Sequence, residues 1–95
     1  MAFDVALSYS AKVWNVVCSR SALRALRKMP RNVAGTVNGE IQALADDPHA
    51  PNNNATRLQG RQGYRLRVGD WRVLYELDEG RILVLDIKPR GGAYQ

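Results

Sequence analysis

Between Gly63 and Tyr75 the chain reads Gly-Tyr-Arg-Leu-Arg-Val-Gly-Asp-Trp-Arg-Val-Leu-Tyr. Two runs that alternate apolar with other residues, 64–68 and 71–75, flank Gly69-Asp70. The leading glycine can adopt the positive φ of a type II′ turn, so the stretch predicts a tight β-hairpin. A two-residue loop fixes the register. Val68 then faces Trp71, Arg67 faces Arg72, Leu66 faces Val73, Arg65 faces Leu74 and Tyr64 faces Tyr75.

Because side chains alternate across a strand, Tyr64, Leu66, Val68, Trp71, Val73 and Tyr75 share one face and Arg65, Arg67 and Arg72 the other. The first face is core and the second is cationic. Like charges directly opposite cost roughly a few tenths of a kcal/mol, so pairing Arg67 with Arg72 points to an anion held there. The planar guanidinium fork suits phosphate in particular. The plainer reading is a solvated face that keeps the protein soluble; charge alone does not separate the two.

Ninety-five residues suffice for one small domain and not for two. A hydrophobic content of 45% with 24% charged residues places the chain among globular rather than disordered proteins. Fourteen Lys and Arg against nine Asp and Glu leave a net charge of +5, which suits nucleic acid or an acidic protein partner. A single cysteine, Cys18, excludes an internal disulfide, and with His49 the only histidine there is no plausible zinc set. Residues 1–12 carry neither a basic lead nor a long apolar core, and no run approaches the roughly 20 residues needed to span a bilayer. The expectation is a soluble, cytoplasmic protein.

Residues 1–13 form an N-terminal extension in which Phe3, Val5, Leu7 and Tyr9 alternate with polar or small residues, an extra edge strand or an unstructured lead. The main domain spans 14–95. It opens with a short strand at 14–18, followed by a helix capped by Ser19 or Ser21, with Ala22, Leu23, Leu26 and Met29 as its buried stripe. Arg20, Arg24, Arg27, Lys28 and Arg31 surround that stripe; such a flank could help grip RNA, but the pattern is the usual one for a wet helix face, and that reading is preferred. Pro30 breaks the helix and starts a second, about 31–45, with Val33, Val37, Ile41 and Leu44 at helical spacing. Residues 49–56 read as loop, and His49 within them as a surface residue.

Beyond the hairpin, Asp78-Glu79-Gly80 turns into a last strand at 81–88. Bringing Leu83, Leu85 and Ile87 to the core face requires an odd-numbered loop, and three residues with Gly80 left-handed satisfy it. Arg72 then stands opposite Asp86, which is read as an orienting or pairing carboxylate. The predicted fold is α+β: a small, twisted antiparallel sheet of about four strands with an αα-hairpin on one face, in the order β-α-α-β-β-β.

That order, with Ser-Ala-Leu-Arg-Ala-Leu-Arg-Lys-Met-Pro at 21–30, Leu-Gln-Gly-Arg-Gln-Gly-Tyr-Arg-Leu-Arg-Val-Gly-Asp-Trp-Arg-Val-Leu-Tyr at 58–75 and Arg-Gly-Gly-Ala-Tyr at 90–94, resembles the RelE-type toxins of bacterial type II toxin-antitoxin modules. The resemblance covers about 14–95. It implies a metal- and cofactor-independent endoribonuclease that enters the ribosomal A site, against 16S rRNA, and cuts mRNA by attack of a ribose 2′-hydroxyl on the adjacent phosphate. It also implies a cognate antitoxin that neutralises the toxin and mediates any contact with operator DNA.

By the resemblance, the family's basic pair falls on Arg65 and Arg67, its next-strand arginine on Arg72, its C-terminal arginine on Arg90 and its terminal tyrosine on Tyr94. Arg67, Arg72, Arg90 and Tyr94 are the catalytic candidates, Arg65, Lys88 and Arg61 are expected to contact phosphate or RNA, and Asp86 orients through the register given above. Fixed guanidinium groups stabilise charge on the phosphorane and the leaving 5′-oxygen, but arginine is a poor proton acceptor. Tyr94 suits stacking on a base, or proton transfer if arginines lower its pKa. The tail departs from the family: Pro89 stands where many relatives carry histidine, and Gly91-Gly92 replace bulkier residues. Two other readings share the fold, a ParE-like inhibitor of DNA gyrase and an inactive paralogue that only binds antitoxin.

Overall fold

The computed structural model describes residues 14–91; the 1–13 extension, Gly92 and Tyr94 lie outside the described residues. In chain order the elements are β1 (Asn15–Cys18), α1 (Arg20–Lys28), α2 (Arg31–Asp46), β2 (Ala55–Arg57), β3 (Tyr64–Val68), β4 (Trp71–Asp78) and β5 (Arg81–Pro89). They form one five-stranded sheet, ordered β1-β5-β4-β3-β2, with the helix pair on one face. No helix among the described residues is long and apolar enough to cross a membrane.

The β3–β4 hairpin has all five predicted pairs, from Tyr64 with Tyr75 to Val68 with Trp71. Gly69 carries the positive φ, 55°, that the two-residue turn requires. Leu66, Val68, Val73 and Tyr75 enter a core completed by Val37, Ile41 and Leu44 of α2 and by Ala22 and Met29 at the two ends of α1. Leu23 leaves the predicted stripe: it is 42% exposed. It lines a surface groove of about 430 Å³ with Val16, Val17 and Leu26.

Three expectations need correction. The sheet is mixed and has five strands, because β1 pairs with β5 in parallel, Asn15 with Arg81 through Cys18 with Val84. Part of the expected 49–56 loop is strand: Ala55 and Thr56 belong to β2, which pairs antiparallel with β3. The turn after β4 has two residues, not three, with Glu79 at φ 46° and Gly80 at φ 80°, the double positive φ of a type I′ turn.

An even loop should have thrown the wrong face of β5 into the core. A β-bulge restores parity instead: Tyr75 pairs with Val84 but Leu74 with Asp86, so Leu85 is the extra residue. Ile82, Val84 and Ile87 are buried, whereas Leu83 and Leu85 are only half-buried. The carbonyl that the bulge turns out of the ladder is not left without a partner. Ser19 Oγ donates to Leu85 O at 2.6 Å and accepts from the Ala22 amide at 3.0 Å, so one hydroxyl caps α1 and ties its start to the bulge.

Candidate nucleic-acid interface

The bulge also changes what stands beside the hairpin arginines. Arg72 is paired with Lys88, not with Asp86, which faces Leu74. Across β3, β4 and β5 the row is therefore Arg67, Arg72, Lys88, three cations abreast in strands about 4.8 Å apart. Asp86 does not orient Arg72; its Oδ2 lies 3.9 Å from Lys88 Nζ, and its Oδ1 accepts from the Ile87 amide at 2.8 Å.

Each member of the row is held differently. Arg67 is exposed; its backbone amide donates to Asn54 O at 2.8 Å and its Nη2 to Asn54 Oδ1 at 3.3 Å. Asn54 is itself positioned by its backbone amide, which donates to Asn52 Oδ1 at 2.8 Å. The asparagine loop thus steers Arg67, a role its Asn run signalled only as turn propensity.

Arg72 departs most from expectation. It belongs to the middle strand of five and is 5% exposed. Its Nη1 donates to Gly69 O at 2.8 Å and to Trp71 O at 2.9 Å, so the guanidinium clamps the hairpin turn from beneath. An exposed phosphate ligand is the wrong description of it. It is a fixed positive charge under the turn, which still adds to the field that an anion meets.

Arg65 is half-buried two residues from Arg67 on the same strand, hence about 7 Å along it. Arg90 is exposed, and its amide donates to Asp70 O at 2.8 Å, which fixes it beside the Gly69-Asp70 turn at the same end of the sheet as the row. Arg61 is not brought to this cluster; it is exposed in the loop that enters the opposite end of β3. Tyr94 lies outside the described residues. The cluster can bind and polarise a phosphate, and its arginines and lysine serve poorly as proton acceptors.

Among the described residues, two groups away from this cluster have shifted pKa values. Burial first, and then the neighbouring Tyr64 phenol, push Tyr75 up to about 12; the two rings stack with centroids 5.3 Å apart. Burial also raises the Cys18 thiol. Neither group belongs to the cation row.

The fold is shared with known toxins. A RelE–RelB complex from Pyrococcus horikoshii OT3 superposes with a TM-score of 0.72 at 26% identity, over 84% of this chain and 98% of that one. The RelBE2 toxin-antitoxin complex of Mycobacterium tuberculosis gives 0.69 at 22% identity, over 81% and 98%. A YoeB/ParE toxin from Agrobacterium tumefaciens gives 0.68 at 16%, over 79% and 96%. The architecture is thus that of the RelE/ParE toxin superfamily. Residues 16–94 match the family model described as the ParE toxin of the type II toxin-antitoxin system parDE, and the chain belongs to that family. No curated protein sequence matches the chain.

Proposed function

We propose that this toxin cleaves mRNA on the ribosome and is held inactive by a cognate antitoxin that covers its cationic row. The observation that carries the reading is the register Arg67–Arg72–Lys88, with Arg65 and Arg90 beside it, a concentration of fixed positive charge at one end of the sheet. The RelE–RelB complexes among its structural relatives support the antitoxin.

In this reading Arg67 and Arg90 meet the scissile phosphate, with Arg65 and Lys88 on the flanking backbone. Arg72 stabilises developing charge from below while it holds the turn. Attack by the 2′-oxygen forms a new P–O bond, breaks the P–O5′ bond and leaves a 2′,3′-cyclic phosphate. The 2′-hydroxyl proton leaves to a base and the 5′-oxygen gains one. Tyr94 is the nominee for one of these transfers or for stacking on a base, since guanidinium groups accept protons poorly.

Two observations favour a second reading, inhibition of DNA gyrase by binding. The matching family model is described as ParE, and the Arg72 guanidinium is engaged by backbone carbonyls. Inducing the protein in cells while mapping mRNA 5′ ends and plasmid supercoiling separates the two. Codon-phased ends inside translated frames are expected; altered supercoiling with intact messages would replace the first reading by the second.

A further inference from the structure

Trp71 is half-buried at the helix-covered face of the sheet, at the strand end nearest the hairpin turn. A groove opens on either side of it. One, of about 270 Å³, lies toward the start of α2, where Asn32 and Thr36 face Gly69 and Asp70. The other, of about 360 Å³, runs between α1 and the end of β5. Its walls include Arg24, Ala25 and Lys28 on the helix side and Trp71, Asp86 and Pro89 on the sheet side.

The second groove combines a π-face with two cations in a volume at the lower end of small-ligand sites, about 300 Å³ upward. The cation row lies at the same end of the sheet, on its opposite face. Pro89, which pairs with Trp71, sits between Lys88 of the row and Arg90 at the turn. An RNA strand whose phosphate lies on the row has only to round that corner to place a neighbouring nucleotide in the groove. Throughout 5–39 the sequence contains no Asp or Glu, so the helix wall offers that nucleotide positive charge alone.

We propose that this groove binds one unpaired nucleotide flanking the cleaved phosphate, with its base against the Trp71 indole and its phosphate between Arg24 and Lys28. Stacking tolerates any base, as it does on other single-strand platforms. This rests on the RNA reading given above and names a subsite for it.

The test uses the full chain carrying Trp14→Phe, which leaves Trp71 as the only indole, titrated with short single-stranded RNA methylated at every 2′-oxygen so that no attack can occur. RNA binding, followed by anisotropy of an end label, should quench Trp71 emission and shield it from acrylamide. Arg24→Ala with Lys28→Ala should weaken binding about tenfold. Binding by anisotropy with Trp71 emission and acrylamide access unchanged would overturn the subsite while leaving the RNA reading intact. Loss of shielding on removing residues 92–95, with none conferred by RNA, would assign the groove to the chain's own tail and likewise overturn it. No RNA binding at all, even beside ribosomes, would bring down both.

Discussion

Replacing Arg72 by alanine tests the account of the row most directly, because the buried clamp predicts loss of stability where an open-face ligand predicts none. The substitution deletes two methylenes from a site 5% exposed, worth about 0.8 kcal/mol each. It also deletes hydrogen bonds from a charged donor to Gly69 O and Trp71 O, worth about 1.5–3 kcal/mol each when nothing replaces them. Water reaching the exposed turn recovers part of that, and relief of repulsion from Arg67 and Lys88 returns a few tenths more. The net loss comes to about 2–3 kcal/mol, out of roughly 5–14 kcal/mol for a chain of 95 residues. Arg67→Ala, at an exposed position, should stay within about 0.5 kcal/mol of the parent. Urea titration followed by far-UV circular dichroism measures both, with a shift of about 10–20 °C in melting temperature for Arg72→Ala as a second readout. Equal midpoints for the two variants would refute the clamp and return Arg72 to the open face.

Gly63 has φ 112°, and an added Cβ would lie 3.0 Å from Tyr75 O, so Gly63→Ala should cost about 1–3 kcal/mol in the same titration. Gly39→Ala, in an exposed turn of α2 with open space around it, should instead gain about 0.5–1 kcal/mol. Ser19→Ala removes a cap and leaves Leu85 O without its donor; a loss of about 2 kcal/mol is expected, with faster amide exchange at the start of α1. Tyr75 titrates near 12 in the folded chain and near 10 unfolded, so its contribution is complete below pH 10 and declines as pH rises toward 12. Chemical denaturation across that range should show a steeper fall for the parent than for Tyr75→Phe, and parallel slopes would contradict the burial of the phenol.

The parts of the fold that were legible in the sequence are those set by local patterns. The Gly69-Asp70 turn and the alternation around it gave every β3–β4 pair, and Val37, Ile41 and Leu44 gave the buried side of α2. What was not legible is contact between distant segments. Nothing in Asn15–Cys18 states that it will lie parallel to β5, and Ala55–Arg57 becomes strand only because β3 has a vacant edge. The register of β5 failed for a more specific reason. A two-residue turn with a bulge and a three-residue turn without one both bring the β5 residues nearest the row into correct parity, and the pattern cannot choose between them. That ambiguity moved Asp86 out of the row and Lys88 into it. Alternation assigns Arg72 a face but not a depth, which depends on its strand's place within the sheet.

The extra residue at Leu85 makes the charge row an all-or-none property. Were β5 to slide one step along β4, Ile87 would take the place of Lys88 beside Arg72, and an ammonium would have to enter apolar packing. No intermediate alignment holds part of the site. The Ser19 hydroxyl, anchored to the very carbonyl where the strand's count changes, acts as the detent that keeps the ladder from slipping.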